Sequence, residues 1–146
     1  KEPDLVSATQ RLKMVELNFH DIDPRVSISK IEIDRSEPSY TLDTLRRLRE
    51  EEPHNSWVLI LGSDALVGFK QWHHWESILA LCHLAVAPRP DSTPYGNVSI
   101  PHQVLPSTEL RWSSQTIRNE LREGRTPQGL KPEVLSFVLD EGLYAS

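Results

Sequence analysis

The chain predicts an α/β fold, a parallel sheet with helices on both faces. Two short apolar runs, Trp57–Leu61 and His83–Pro88, stand between segments whose apolar residues recur at helical spacing. Strands this short and this apolar are buried on both sides, and the helices that separate them must cross over the sheet and cover it. Two loops then stand at the carboxyl edge of the strands, where such sheets bind ligands. One is Gly62-Ser63-Asp64, leaving the first run; the other is the segment from Arg111, leaving the last short strand.

The elements follow in order. Ser7-Ala8-Thr9-Gln10 reads as a capping box, and Leu12, Val15 and Phe19 put one apolar stripe on a helix over residues 7–19. Val26, Ile28, Ile31 and Ile33 alternate with polar residues, with one slip at Ser29-Lys30, and predict a strand. Pro38-Ser39-Tyr40-Thr41 opens the next helix, with Leu42, Leu45 and Leu48 inside, Arg46, Arg47 and Arg49 outside, and Pro53 as its stop. Trp57–Gly62 is a fully buried strand. A short helix runs through Phe69, a second from about Trp72 to Leu81, and residues 83–88 form another buried strand. Pro90, Asp91, Ser92, Pro94 and Gly96 mark a loop, Gln103–Leu105 a small strand. Helices from Ser113 to Glu123, closed by Gly124, and from Pro132 to near Gly142 complete the chain.

With 146 residues and 38% hydrophobic content, the chain is sized for a single domain. A net charge of -5 argues against a general nucleic-acid surface, so an anionic ligand must be met locally. Apolar stretches such as Trp57–Leu61 fall far short of the roughly 20 residues of a membrane span. A soluble, cytoplasmic protein is expected. The single Cys82 reads as a small buried hydrophobe.

The chemistry concentrates at the two loops. Gly62 lets the backbone approach a ligand and Asp64 is placed to accept from ribose hydroxyls, or else simply caps the helix that follows. "RWSSQTIRNELREG", residues 111–124, opens a helix with Ser113, Ser114 and Thr116, and Arg118 lies one turn in. First-turn N–H groups with hydroxyls and a guanidinium make a phosphate site, although serine caps without ligands are common, and spacing alone leaves both readings open. Trp57, Trp72, Trp75 and Trp112 read as core or edge aromatics. His73-His74 lacks a third ligand for a metal. Glu50-Glu51-Glu52 is a solvated helix end, and Tyr40 and Thr44 are expected to brace the Thr41 turn from inside.

Taken together, "RLKMVEL", "IEIDRSEPSYTLDTLRRLR", "LILGSDAL", "QWHHWESIL", "HLAVAPRP", "SSQTIRNELREG" and "LKPEVLSFVLDEGLY" resemble the bacterial nicotinate-mononucleotide adenylyltransferases, in that family's order and spacing. The resemblance implies a Rossmann-like nucleotidyltransferase fold and transfer of AMP from ATP to nicotinate mononucleotide, giving deamido-NAD and pyrophosphate. It implies that Ser113, Ser114 and Arg118 hold ATP phosphates, that Gly62 and Asp64 lie near the adenosine or its ribose, and that Arg89 lies near the phosphates. Trp72 would stack on the pyridine ring, while backbone N–H groups of Thr41, Leu42 and His73 receive the nicotinate carboxylate. Mg2+ would arrive on the ATP phosphates with no protein-held metal. The partners implied are the two small-molecule substrates, with no nucleic acid and no membrane; a homo-oligomer is left open.

One part of the family pattern is missing. The G-x-F-D-P-x-H-x-G-H signature does not occur in the sequence, nor does any His-x-x-His spacing. The chain therefore resembles one nucleotidyltransferase domain, residues 1–146, without its first strand, first helix and next strand. Catalytic residues are unassigned, and residues 1–146 by themselves are expected not to catalyse. Two alternatives stand beside the leading reading: an adenylyltransferase for nicotinamide mononucleotide or pantetheine phosphate, and a non-catalytic nucleotide-binding fragment. Ser39-Tyr40-Thr41 followed by Gln71-Trp72-His73 favours a carboxylated pyridine as acceptor.

Overall fold

The computed structural model describes residues 6–35, 39–89, 98–106 and 112–144. In chain order the elements are α1 (Ala8–Phe19), α2 (Thr41–Glu51), β1 (Val58–Gly62), α3 (Ser63–Val67), a 3-10 turn (Phe69–Gln71), α4 (Trp75–Leu81), β2 (His83–Ala87), β3 (Gln103–Val104), α5 (Ser114–Arg122) and α6 (Pro132–Asp140). They belong to two compact units, residues 34–111 and residues 1–33 with 112–146. The predicted loop at 90–97 and the Pro38 start of α2 lie outside the described residues.

Residues 34–111 hold the sheet, in the order β1-β2-β3 with both pairings parallel. Leu59 pairs with Leu84 and Leu61 with Val86, so these four side chains share one face. That face meets Leu42 and Leu45 of α2, Leu66 of α3, Phe69 and Ile78 of α4 in one hydrophobic core. The α/β class with a parallel sheet and helices is the one the sequence predicts. β2 is buried on both faces, through Leu84, Ala85 and Val86. β1 is not: Val58 and Ile60 are 56% and 65% exposed, which corrects the expectation of a fully buried strand. Among the described residues β1 pairs only with β2, and its Leu59 and Leu61 side packs into the core.

Three further expectations change. Residues 26–30 form no strand and residues 31–34 form a turn. Alternation alone does not make a strand; a ladder partner is required, and among the described residues this segment has none, while Val26 and Ile33 stay exposed. α4 begins at Trp75 rather than Trp72, because the 3-10 turn closes with Trp72 N–H donating to Phe69 O at 3.0 Å, and His74 then takes a left-handed conformation, φ 51°. Arg49 is not simply a solvated face residue. Its Nη1 donates to Leu81 O at 3.2 Å, setting a cation at the end of α4, where carbonyls are unpaired.

In the other unit the predicted capping box is present: Ser7 Oγ accepts from Gln10 N–H at 3.2 Å and Gln10 Oε1 accepts from Ser7 N–H at 3.1 Å. α6 starts with Pro132, buries Val134 and Val138, and packs on α1. Both α5 and α6 end in the same hydrogen-bonded turn. Gly124 and Gly142, at φ 67° and 62°, take the left-handed position, and Arg125 and Leu143 N–H groups return to Glu120 and Val138 carbonyls. Among the described residues no helix is long and apolar enough to cross a membrane.

Phe69 is the largest fully buried side chain of the sheet unit. Phe69→Ala is expected to destabilise the protein by about 3 to 5 kcal/mol, from lost burial and the cavity left behind. Urea unfolding followed by tryptophan fluorescence measures it; a loss below about 1 kcal/mol would show that the core is not centred there.

Candidate active site

Parallel pairing of β1 with β2 runs to Gly62 opposite Ala87, so both strands end at the same level. The chain leaves β1 directly into α3 through Ser63 and Asp64, and leaves β2 through Pro88 and Arg89. Arg89 Nη1 lies 3.2 Å from Asp64 Oδ2, both side chains being more than half exposed. The pair is folded over Gly62. A Cβ on Gly62 would stand 2.5 Å from Asp64 Oδ1 and 3.2 Å from Arg89 Nε. Gly62 has φ -71°, open to any residue, so what glycine gives here is room for the Asp64–Arg89 pair and not a special backbone conformation. Beneath the pair, the buried Ser63 Oγ accepts from Arg89 N–H at 3.0 Å.

A second set of predicted residues gathers at the start of α2. Tyr40 caps this helix without a side-chain bond, while Asp43 and Thr44 N–H groups both turn back to Tyr40 O, at 3.0 and 3.2 Å. Thr41 and Leu42 N–H groups have no acceptor within the helix, as its first turn dictates. Leu42 sends its side chain into the core, so it offers ligand only its backbone. Tyr40 is half exposed and does not brace the turn from inside. Instead its ring meets the His73 imidazole at 4.7 Å, which ties the α2 start to the Trp72–His74 connector. Trp72 packs partly on the core, 5.2 Å from the Phe69 ring.

The third set, Ser113, Ser114 and Arg118, belongs to the other compact unit. Ser113 is the N-cap of α5, its Oγ accepting from Thr116 N–H at 3.1 Å and lying 2.9 Å from Thr116 Oγ1. Ser114 and Gln115 N–H groups, ahead of the first helical acceptor, point out of the helix end. Arg118 is held by Gln115 Oε1 at 3.3 Å, on an exposed stretch with no acid in the first turn. No acid of the first turn opposes the positive end of the helix dipole here.

At the opposite, amino edge of the sheet lies an open cavity of about 390 Å³ lined by Val58, Leu79, Cys82, His83, His102 and Gln103, among others. Burial pushes the Cys82 thiol above its ordinary range, and its Sγ donates to Ile78 O at 3.4 Å. It is the small buried hydrophobe the sequence predicts, not a nucleophile. Among the described residues no three His, Cys, Asp or Glu side chains gather as a metal would require. Two contacts at these loops are not foreseen from the sequence, Ser63 with Arg89 and Tyr40 with His73. Ser63 stands inside the Gly-Ser-Asp loop itself, but its partner is 26 residues away in sequence.

Residues 1–120 match the cytidylyltransferase-like family. A protein of Hydrogenovibrio crunogenus named "Probable nicotinate-nucleotide adenylyltransferase" is 35% identical over 157 residues, spanning 95% of this chain and 75% of that protein. One of the same name from Methylococcus capsulatus is 33% identical over 167 residues, spanning 99% of this chain and 80% of that protein. Among solved structures, Plasmodium falciparum nicotinic acid mononucleotide adenylyltransferase complexed with NaAD superposes with a TM-score of 0.78, covering 97% of this chain and 76% of that one. Its identity is 16%, so that likeness is one of fold.

An exposed ion pair held over a glycine contributes little to folding. Asp64→Asn and Gly62→Ala are each expected to change unfolding free energy by less than about 1 kcal/mol, because solvent screens the pair and both side-chain ends are able to swing aside. Denaturant titration of the two variants checks this, and a loss of several kcal/mol would make the cluster structural instead of ligand-directed.

Proposed function

This chain belongs to the nicotinate-nucleotide adenylyltransferases within the cytidylyltransferase-like family, and from that membership we infer how its residues divide the work. The reaction is transfer of AMP from ATP to nicotinate mononucleotide, giving deamido-NAD and pyrophosphate. A phosphate oxygen of the mononucleotide attacks the α-phosphorus of ATP as the bond to the bridging oxygen of pyrophosphate breaks. No covalent intermediate with the protein is needed, so positioning and charge neutralisation are what the chain supplies.

The observation that carries this reading is the convergence of Gly62, Asp64 and Arg89 where β1 and β2 end together. In our proposal Gly62 admits the adenosine close to the backbone, Asp64 accepts from its ribose, and Arg89 exchanges the carboxylate for phosphate oxygens, which offer bidentate geometry. Ser113, Ser114 and Arg118 hold phosphates at the start of α5, through hydroxyls, first-turn N–H groups and a guanidinium. Asp64 is the only carboxylate in that set and it is paired with Arg89. Mg2+ would enter on the triphosphate oxygens, where it would offset charge on the leaving pyrophosphate. The substrates are small molecules met in solution, and the cytoplasm is the compartment we propose.

Trp72 stacks on the pyridine ring in this reading, and N–H groups of Thr41, Leu42 and His73 donate to the carboxylate between them. The Tyr40–His73 contact supports it, since it joins the two backbone segments that must face one carboxylate. Two carboxylate oxygens satisfy donors on every side, whereas a carboxamide must turn its own NH2 toward one of them. That leaves a donor unpaired, at a cost of about 1 to 3 kcal/mol, and forgoes the favourable placement of an anion at a helix N-terminus.

Nicotinate mononucleotide is expected to be used at least about a hundredfold better than nicotinamide mononucleotide, equivalent to about 2.7 kcal/mol. Trp72→Ala should weaken both acceptors with little change in their ratio, because stacking does not distinguish acid from amide. Competing the two mononucleotides in one assay gives the ratio directly; equal use would show that the α2 start does not read the carboxylate.

A further inference from the structure

We propose that Ser63 is a positioning residue for the ATP site, fixing Arg89 through the bond from Arg89 N–H to Ser63 Oγ. The proposal rests on the reading of Arg89 as a phosphate ligand. β2 ends at Ala87, so Arg89 lies two residues past the last rung of the sheet ladder, Gly62 opposite Ala87. Beyond that rung the ladder no longer sets the course of the chain. Ser63 is the first residue of α3, fully buried, and its hydroxyl reaches across the gap between the two strand ends to the Arg89 N–H at 3.0 Å. One residue beyond Ser63, the side chain of Asp64 meets that of the same Arg89 at 3.2 Å above Gly62.

The two contacts differ in what solvent does to them. The Asp64–Arg89 pair is exposed and screened, so by itself it holds the guanidinium loosely. The Ser63 bond is part-buried and directed, and it acts on the backbone from which the guanidinium hangs. When a nucleotide displaces Asp64 from Arg89, the backbone of Arg89 stays where Ser63 has set it. Arg89 thus changes partner without moving its Cα, which limits the ordering that phosphate binding requires. A serine at this position is not dictated by α3, whose start makes no side-chain cap bond, and a buried alanine would fill the same place in the core.

The test is a double-mutant cycle on the enzyme with Ser63→Ala, Arg89→Ala and both together, reading KM for ATP, KM for nicotinate mononucleotide and kcat, with thermal melts confirming that each variant folds. Ser63→Ala is expected to raise the ATP KM about tenfold while the mononucleotide KM stays within about twofold. In the Arg89→Ala background the same change should add less than about twofold, since the group it positions is gone; Ser63→Thr, which keeps the hydroxyl, should restore most of the loss. An equal rise in both backgrounds, or none in the wild-type background while Arg89→Ala raises the ATP KM, would overturn the positioning role and leave the site reading standing. An unchanged ATP KM in Arg89→Ala would overturn the site reading itself, and the role of Ser63 with it.

Discussion

The parallel pairing of β1 with β2 is the constraint on which the site depends. Because the ladder runs in register from Val58 opposite His83 to Gly62 opposite Ala87, the two strands end together, and the residues that follow each are delivered to one place. The core enforces that register. Leu59, Leu61, Leu84 and Val86 face the same helices, and a slip of one residue would turn all of one strand's apolar side chains away from them. The energy that fixes Arg89 beside Asp64 is therefore mostly hydrophobic burial some distance below, and only slightly the ion pair itself.

In the function we propose, helix starts carry the anion chemistry. α2 and α5 each present N–H groups that no residue of the helix accepts from; α5 has no acid in its first turn, whereas α2 has Asp43 there. They differ in what surrounds them. α5 offers hydroxyls and Arg118, a set fitted to the several oxygens of a phosphate chain. α2 offers backbone donors beside two aromatic rings, Tyr40 on His73 with Trp72 nearby, a set fitted to a flat ring bearing one carboxylate. The division between ATP and acceptor that we propose thus rests on side-chain type at two otherwise similar backbone features.

Much of this was legible in the residues, and the exceptions have a common cause. Capping signals and glycine stops act within a few residues, and Ser7-Gln10, Ser113, Gly124 and Pro132 mark the helices as expected. Apolar runs located β1 and β2. What failed needed knowledge of partners. The alternation over residues 26–33 is that of a strand, yet only a neighbouring ladder makes one; Val58 and Ile60 are as apolar as any core residue, yet lie on the side of β1 away from the core. The Ser63–Arg89 bond and the Tyr40–His73 contact join segments 26 and 33 residues apart. Neither leaves a trace in local spacing. Motif resemblance named the candidate site residues, and the fold shows which of them touch: Asp64 with Arg89, and the Tyr40 ring with His73.

The central claim is that the carboxyl edge of the sheet, built by the β1–β2 register, receives the nucleotide. Titration of the 15N-labelled protein with a non-hydrolysable ATP analogue and Mg2+ tests it most directly, by following backbone amides. The largest shifts are expected at Gly62, Ser63, Asp64 and Arg89, with little change at the amino edge. Shifts concentrated instead around Cys82, His83 and His102, with Gly62–Asp64 unmoved, would contradict it.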